Sequence, residues 1–123
     1  MKVFAPYYHI RGADALNSKL TSVSSTGLTA GTDVTIDMQR SMFVGKLAVY
    51  NLVVTTSAAK SRNDTIVSGL KQHDGGFNGV PTVLATDNNG NFAQFMASDS
   101  GTLIAAGNVS AGKWRMSFSF IST

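Results

Sequence analysis

At 123 residues and 43% hydrophobic content, the chain is long enough for one domain with a core of its own. Only 14% of its residues are charged and it contains no Glu, which argues against a helical protein because Glu and Lys are the usual residues of exposed helix faces. The absence of Cys excludes disulfides and a Cys nucleophile. The net charge of +3 comes without a Lys/Arg cluster, so there is no reason to expect a nucleic-acid partner.

The N-terminal segment differs in composition from the rest of the chain. Residues 13–20 could form two helical turns, and residues 22–31, rich in Ser, Thr and Gly, indicate a loop or an irregular edge strand. We therefore expect residues 1–33 to form an arm that leads into a head domain at 34–123. Residues 7–9 (Tyr-Tyr-His) fit either a subunit contact or a ligand surface, and the sequence leaves both open.

From residue 34 onward the hydrophobic period becomes two, which is typical of strands. The longest β-prone run, 42–56, is apolar on both faces and predicts a central strand, either covered on both sides or with its outer face against another subunit. Gly45 inside that run indicates a bulge or a close backbone approach. Further strands are expected at 65–67, 81–86, 91–97, 102–106 and 113–121.

Turn signals separate these runs. Asn-Gly and Ser-Gly steps at 88–91 and 99–101 predict tight hairpins, because Gly and Asn tolerate positive φ. Residues 69–79 contain four glycines and predict a long exposed loop. Seven or eight short strands at this spacing predict an all-β fold, an antiparallel β-sandwich of jelly-roll-like type.

The last strand carries the only Trp of the chain. Trp114, Met116, Phe118 and Phe120 share one face at period two. Tryptophan is a good stacking surface for a sugar, but this stripe is typical of a core. We therefore expect Trp114 to be structural.

Several segments together resemble the C-terminal head of tail-fibre, baseplate and receptor-binding proteins of tailed bacteriophages. They are the run 40–56 ending in Thr-Thr, Thr-Ile-Val at 65–67, Asn-Phe-Ala at 91–93, the Gly-Thr-Leu hairpin at 101–103 and Gly-Lys-Trp at 112–114. The match covers residues 36–121, about two thirds of the chain. Residues 69–79 stand where that family has a different loop, so we expect this chain's own specificity there.

The resemblance implies a homotrimer in the tail tip or baseplate of a virion, assembled in the host cytoplasm. Its partners would be host cell-wall polysaccharide, other copies of itself and other tail proteins, with no nucleic acid and no membrane insertion. A structural virion protein, such as a tail adaptor or a decoration protein, is an alternative. A carbohydrate-active enzyme is a second alternative.

The residues give little support for catalysis. The nearest carboxylate pairs, such as Asp87 with Asp99, stand at no motif spacing, and Asp is a common turn residue. The two His residues, His9 and His73, form no metal-ligand pattern, and no Gly-x-Ser-x-Gly occurs. We expect no catalytic residue, no metal site and no cofactor.

Saccharide binding requires planar donors and acceptors together with an aromatic ring, presented on loops that a rigid scaffold holds. Two local sets supply these groups, and each also fits an ordinary solvated turn. The first set is His73, Asp74, Phe77 and Asn78, and the second is Asp87, Asn88 and Asn89.

Overall fold

The computed structural model describes residues 20–24 and 27–123. Residues 7–9 and almost all of the expected helical turns at 13–20 lie outside that part, while Leu20 begins the first strand. The strands are β1 Leu20–Ser24, β2 Thr29–Ala30, β3 Val34–Val44, β4 Leu47–Thr56, β5 Thr65–Ser68, β6 Thr82–Thr86, β7 Phe92–Ala97, β8 Thr102–Ala105 and β9 Gly112–Ile121. One short helix, α1 (Gly75–Asn78), lies between β5 and β6.

The strands form one nearly closed sheet in the order β1-β3-β4-β9-β6-β7-β8-β5-β2, and every recorded strand pairing is antiparallel. The expected all-β, antiparallel class is confirmed. The chain itself links the two edges of this order, because β2, the last strand in it, leads through residues 31–33 into β3, which lies beside the first strand β1. Along that link, Gly31 N donates to Ile66 O at 2.8 Å and Ser57 N donates to Asp33 O at 2.9 Å.

Alternation along the strands places one face of each in a common core. Tyr50, Leu52 and Val54 of β4 are almost completely buried, and they alternate with outward residues such as Asn51. From β9 the core receives Trp114, Met116 and Phe120, and from the other strands it receives Ile66, Val83, Ala85, Phe95, Leu103 and Ala105.

Aromatic side chains dominate the core between β4 and β9. The rings of Phe118 and Phe120 stack on Tyr50 with centroid distances of 5.4 and 5.8 Å. Trp114 is 3% exposed, and its Nε1 donates to Ser110 O at 3.0 Å. The prediction that Trp114 is structural is confirmed.

The run 42–56 is not a single strand, so that prediction is wrong. The chain reverses at residues 45–46, and Val44 pairs with Leu47 across the turn. Gly45 has φ 57°, a conformation that glycine adopts without strain, so it is a hairpin turn residue and not a bulge within a strand. Its second half, β4, is central as expected, since it pairs with both β3 and β9.

The register sorts the loops of the molecule into two groups at opposite ends of the strands. One end carries residues 69–81 with α1, the β7–β8 turn at 98–101 and the β3–β4 turn at 45–46; we call it the α1 end. The opposite end carries the β6–β7 turn at 87–91 and residues 106–111.

Candidate functional site

The first predicted set lies on one short segment at the α1 end. Asp74 caps α1, and its Oδ1 accepts from the backbone N–H groups of Gly76 at 3.0 Å and Phe77 at 3.3 Å. The helix stops at Gly79, which has φ 64° and donates its N–H to Gly75 O at 3.0 Å. An Asp cap and a closing glycine therefore make this single turn of helix within a glycine-rich stretch.

His73 is buried, although most residues of the expected exposed loop at 69–79 are exposed. Its side chain is 1% exposed, and its ring meets Phe120 edge-on at 6.2 Å. The backbone at His73 pairs with Ser122, and Leu70 is also buried. Leu70 and His73 thus attach the first half of the segment 69–79 to the rest of the fold.

His73 contacts the carboxylate of Asp99, a residue outside both predicted sets. Its Nε2 lies 3.0 Å from Asp99 Oδ1, although the approach lacks hydrogen-bond geometry, and neither ring nitrogen makes a hydrogen bond in the described part of the chain. The side chain of Asp99 is 93% exposed. A Cβ at Gly75 would lie 4.0 Å from His73 Cε1, so the same ring edge faces both the start of α1 and Asp99.

Asn78 fastens the other end of α1 to the last strand. Its Nδ2 donates to Asp74 O at 2.7 Å and to Ile121 O at 2.6 Å, and its Oδ1 accepts from Ile121 N at 3.0 Å. Both amide protons and the amide oxygen are used inside the protein. Asn78 is therefore an anchor of α1, with its amide donors already occupied.

Phe77 is the member of the first set that remains open to a ligand. It is 74% exposed, although the helix that carries it is held at both ends. Val80, just beyond the helix, is 58% exposed. The α1 end thus presents an exposed aromatic ring on a fixed backbone, with the exposed carboxylate of Asp99, which contacts His73, on the adjoining turn.

The second predicted set forms the β6–β7 turn, where it serves the turn itself. Asp87 Oδ1 accepts from the N–H groups of Asn89 at 2.8 Å and Asn91 at 2.9 Å, and Oδ2 accepts from Asn91 Nδ2 at 2.9 Å. These bonds, that from the Asn91 side chain foremost, lower the pKa of Asp87. Asn88 Oδ1 accepts from Arg115 Nε at 3.3 Å.

The two sets belong to different ends of the molecule. β6 begins at Thr82, just after the α1 segment, and ends at Thr86, just before the β6–β7 turn. Its four steps span about 13 Å. A single sugar ring cannot contact both sets in one copy of the chain, and the α1 end is the one of the two with an exposed aromatic ring in its predicted set.

Among the residues that the structure describes, no group of three or more His or Asp side chains is arranged to hold a metal ion. In the same part of the chain, no helix is both long and apolar enough to cross a membrane. No family model matches the chain, and no curated protein matches it significantly.

Proposed function

We propose that this protein is a non-enzymatic receptor-binding head of a bacteriophage tail tip, which recognises a host cell-surface saccharide at its α1 end. The observation that carries the proposal is Phe77, an aromatic ring that is 74% exposed on a helical turn anchored by Asp74 and Asn78. An exposed ring on a fixed backbone can stack on the apolar face of a sugar with little ordering cost on binding.

Asp99 supplies the polar half of such a site. Its carboxylate is free in solvent apart from the buried ring of His73, and an ionised carboxylate accepts hydrogen bonds from the hydroxyl groups of a sugar. A ring and a carboxylate on adjoining turns match the two faces that a saccharide presents. One contact of this kind is weak, and several linked copies would raise the avidity without new contacts.

The proposal includes the finer architecture, a jelly-roll-like sandwich assembled as a homotrimer. In support of two layers, the sheet is joined between β6 and β9 at a single recorded residue pair, Thr86 with Arg115. The strands β1-β3-β4-β9 would form one layer and β6-β7-β8-β5-β2 the other. The head would sit at the tail tip or baseplate, with other tail proteins as partners.

A structural virion protein remains the second candidate, because two large apolar side chains are exposed on the outer face of β6 and β7. Leu84 is 63% and Phe92 is 65% exposed on neighbouring strands, which would suit contact with another protein. Immunogold labelling separates the two functions, since a receptor binder lies at the distal tip of the tail.

The test is adsorption of the protein to an array of bacterial surface polysaccharides, comparing Phe77→Ala with Phe92→Ala. Both remove an exposed Phe, one at the α1 end and one on the outer face of β7. We expect Phe77→Ala to weaken binding about tenfold or more, as the loss of roughly 1.4 kcal/mol requires. Phe92→Ala should bind like the unchanged protein.

Two outcomes contradict the proposal. If the unchanged protein binds no wall polysaccharide, saccharide recognition is wrong. If both variants bind equally well, the α1 end is not the site. Release of reducing ends from the polysaccharide would instead support the enzyme alternative.

A further inference from the structure

A second concave feature lies close to the α1 segment. It is a cleft of about 280 Å³ between β3, β4 and the residues that follow β5. Gly69 builds one wall: at φ 94° a Cβ there would lie 2.2 Å from Gly27 O, so this glycine allows the two backbones to approach. Tyr50, Lys71 and Leu28 also line the cleft.

Tyr50 places a hydrogen-bond donor in the wall of this cleft. The residue is 1% exposed, and its hydroxyl oxygen accepts from Lys71 N at 2.8 Å. Its own O–H has no acceptor in the described part of the chain. Burial raises the pKa of the phenol, so the group keeps its proton at neutral pH. The hydroxyl already has one partner in Lys71 N, and its proton remains available as a donor to an atom in the cleft.

Lys71 adds a positive charge at the same place. Its backbone is fixed by the bond to Tyr50, and its Nζ lies 5.2 Å from the centroid of the Phe43 ring. It forms no ion pair with any acid that the structure describes. The cleft therefore offers an ammonium group and an O–H donor, and both complement an anionic oxygen.

We propose that this cleft binds the acidic group, carboxylate or phosphate, of an anionic saccharide. The inference rests on the proposed function and adds the chemical class of the sugar. The volume lies just below the usual range of about 300–1,000 Å³ for ligand pockets, which suits one sugar unit and not a chain. Lys71 precedes Phe77 by six residues, at most about 20 Å of chain, so a short oligosaccharide can reach both.

The experiment is calorimetric titration of the full chain with three monosaccharide probes: glucose, glucuronic acid and glucose 6-phosphate. Inorganic phosphate alone is a fourth arm. We expect one or both acidic sugars to bind at least tenfold more tightly than glucose and more tightly than inorganic phosphate. The sugar that binds more tightly identifies the acidic group as carboxylate or phosphate.

Lys71→Met is the main variant, because it keeps the backbone N–H that bonds to Tyr50. Lys113→Met is the matched control, because Lys113 is an exposed lysine at the start of β9, at the end of the molecule opposite α1. We expect Lys71→Met to abolish the preference for acidic sugars and Lys113→Met to retain it. Tyr50→Phe should reduce the preference as well, with thermal unfolding measured in parallel because the Lys71 N–H then loses its partner.

Equal affinity for acidic and neutral sugars would overturn the inference. So would an unchanged preference in Lys71→Met, or tighter binding of inorganic phosphate than of either acidic sugar. The failure of the proposed function looks different. If polysaccharide binding requires Phe77 but is indifferent to Lys71, only the inference is wrong, whereas no binding to any polysaccharide removes the proposed function itself.

Discussion

At the residue scale, the hydrogen bonds of the α1 segment decide which side chains are left for a ligand. Asp74 and Asn78 combine the chemistry of sugar binding with that of turns, and the structure uses both to hold the backbone. His73 is inside the fold. Substituting any of the three would disturb the fold as well as the surface, so Phe77 and Asp99 give the cleaner tests.

Asp87 supports a prediction about acid stability. Its pKa is lowered by the bonds it accepts in the β6–β7 turn, so it stabilises the fold above its unfolded value of about 3.9. That contribution is lost as the pH falls through the lower pKa of the folded state. We expect Asp87→Asn to flatten the fall in stability below pH ~4, measured as the urea midpoint against pH.

Asp64→Asn is the comparison for that experiment, because Asp64 is another exposed turn aspartate, and its carboxylate accepts one backbone hydrogen bond, from Ser61 N at 2.8 Å. Asp87→Asn removes a carboxylate that accepts three hydrogen bonds, so it should change the acid profile more than Asp64→Asn does. Identical profiles for the unchanged protein and Asp87→Asn would show that the turn bonds do not shift the titration of Asp87.

At the scale of elements, the 69–79 segment is held down by close backbone contacts at glycines. Gly101, with φ 79°, lies so near Leu70 that an added Cβ would be 2.5 Å from Leu70 O. In return, Leu70 N donates to Gly101 O at 2.9 Å. The β7–β8 turn therefore fixes the start of the segment whose far end carries Phe77.

We expect Gly101→Ala to destabilise the protein markedly more than Gly90→Ala. Gly90 has nearly the same φ, 82°, but a Cβ there meets nothing within 4 Å. The left-handed conformation costs each alanine roughly 1–2 kcal/mol. The difference between the two variants in the free energy of unfolding, measured in urea, is therefore the effect of the close contact with Leu70 O. Equal losses of stability in the two variants would mean that the β7–β8 turn shifts to accommodate the added Cβ at no energetic cost.

Much of the sheet was predictable from the sequence, and the anchoring of the site was not. Period-two alternation marks β4 and β9 because each buries one face, and Asn-Gly marks the β6–β7 turn through its φ preference. Gly45 is ambiguous by itself, since a turn and a bulge both favour glycine. The burial of His73 depends on Phe120 and Ser122, almost fifty residues away, and local pattern carries no signal of such contacts.

At the scale of the whole molecule, the nearly closed sheet places the loops at its two opposite ends and leaves an outer face between them. The saccharide proposal uses the α1 end, which leaves the outer face with Leu84 and Phe92 for contacts with other chains. A head of this proposed kind gains its affinity from several linked sites, so its assembly is part of its function.

Native mass spectrometry of the full chain tests that assembly. We expect the mass of three chains, since the resemblance to phage tail heads implies a homotrimer. Dilution into high salt should leave the trimer intact if apolar contacts hold it, because salt screens charge pairs and not apolar burial. A monomer at micromolar concentration would contradict the trimer.

Backbone amide chemical shifts report which residues a bound saccharide contacts, and they therefore test whether the α1 end of this fold is the binding site. The labelled protein is titrated with a fragment of a polysaccharide that it adsorbs to. We predict shifts concentrated at residues 69–79 and 98–102, with residues 87–91 at the opposite end unchanged. Shifts concentrated at 87–91, or spread over the outer face around Leu84 and Phe92, would show that the saccharide does not bind at the α1 end.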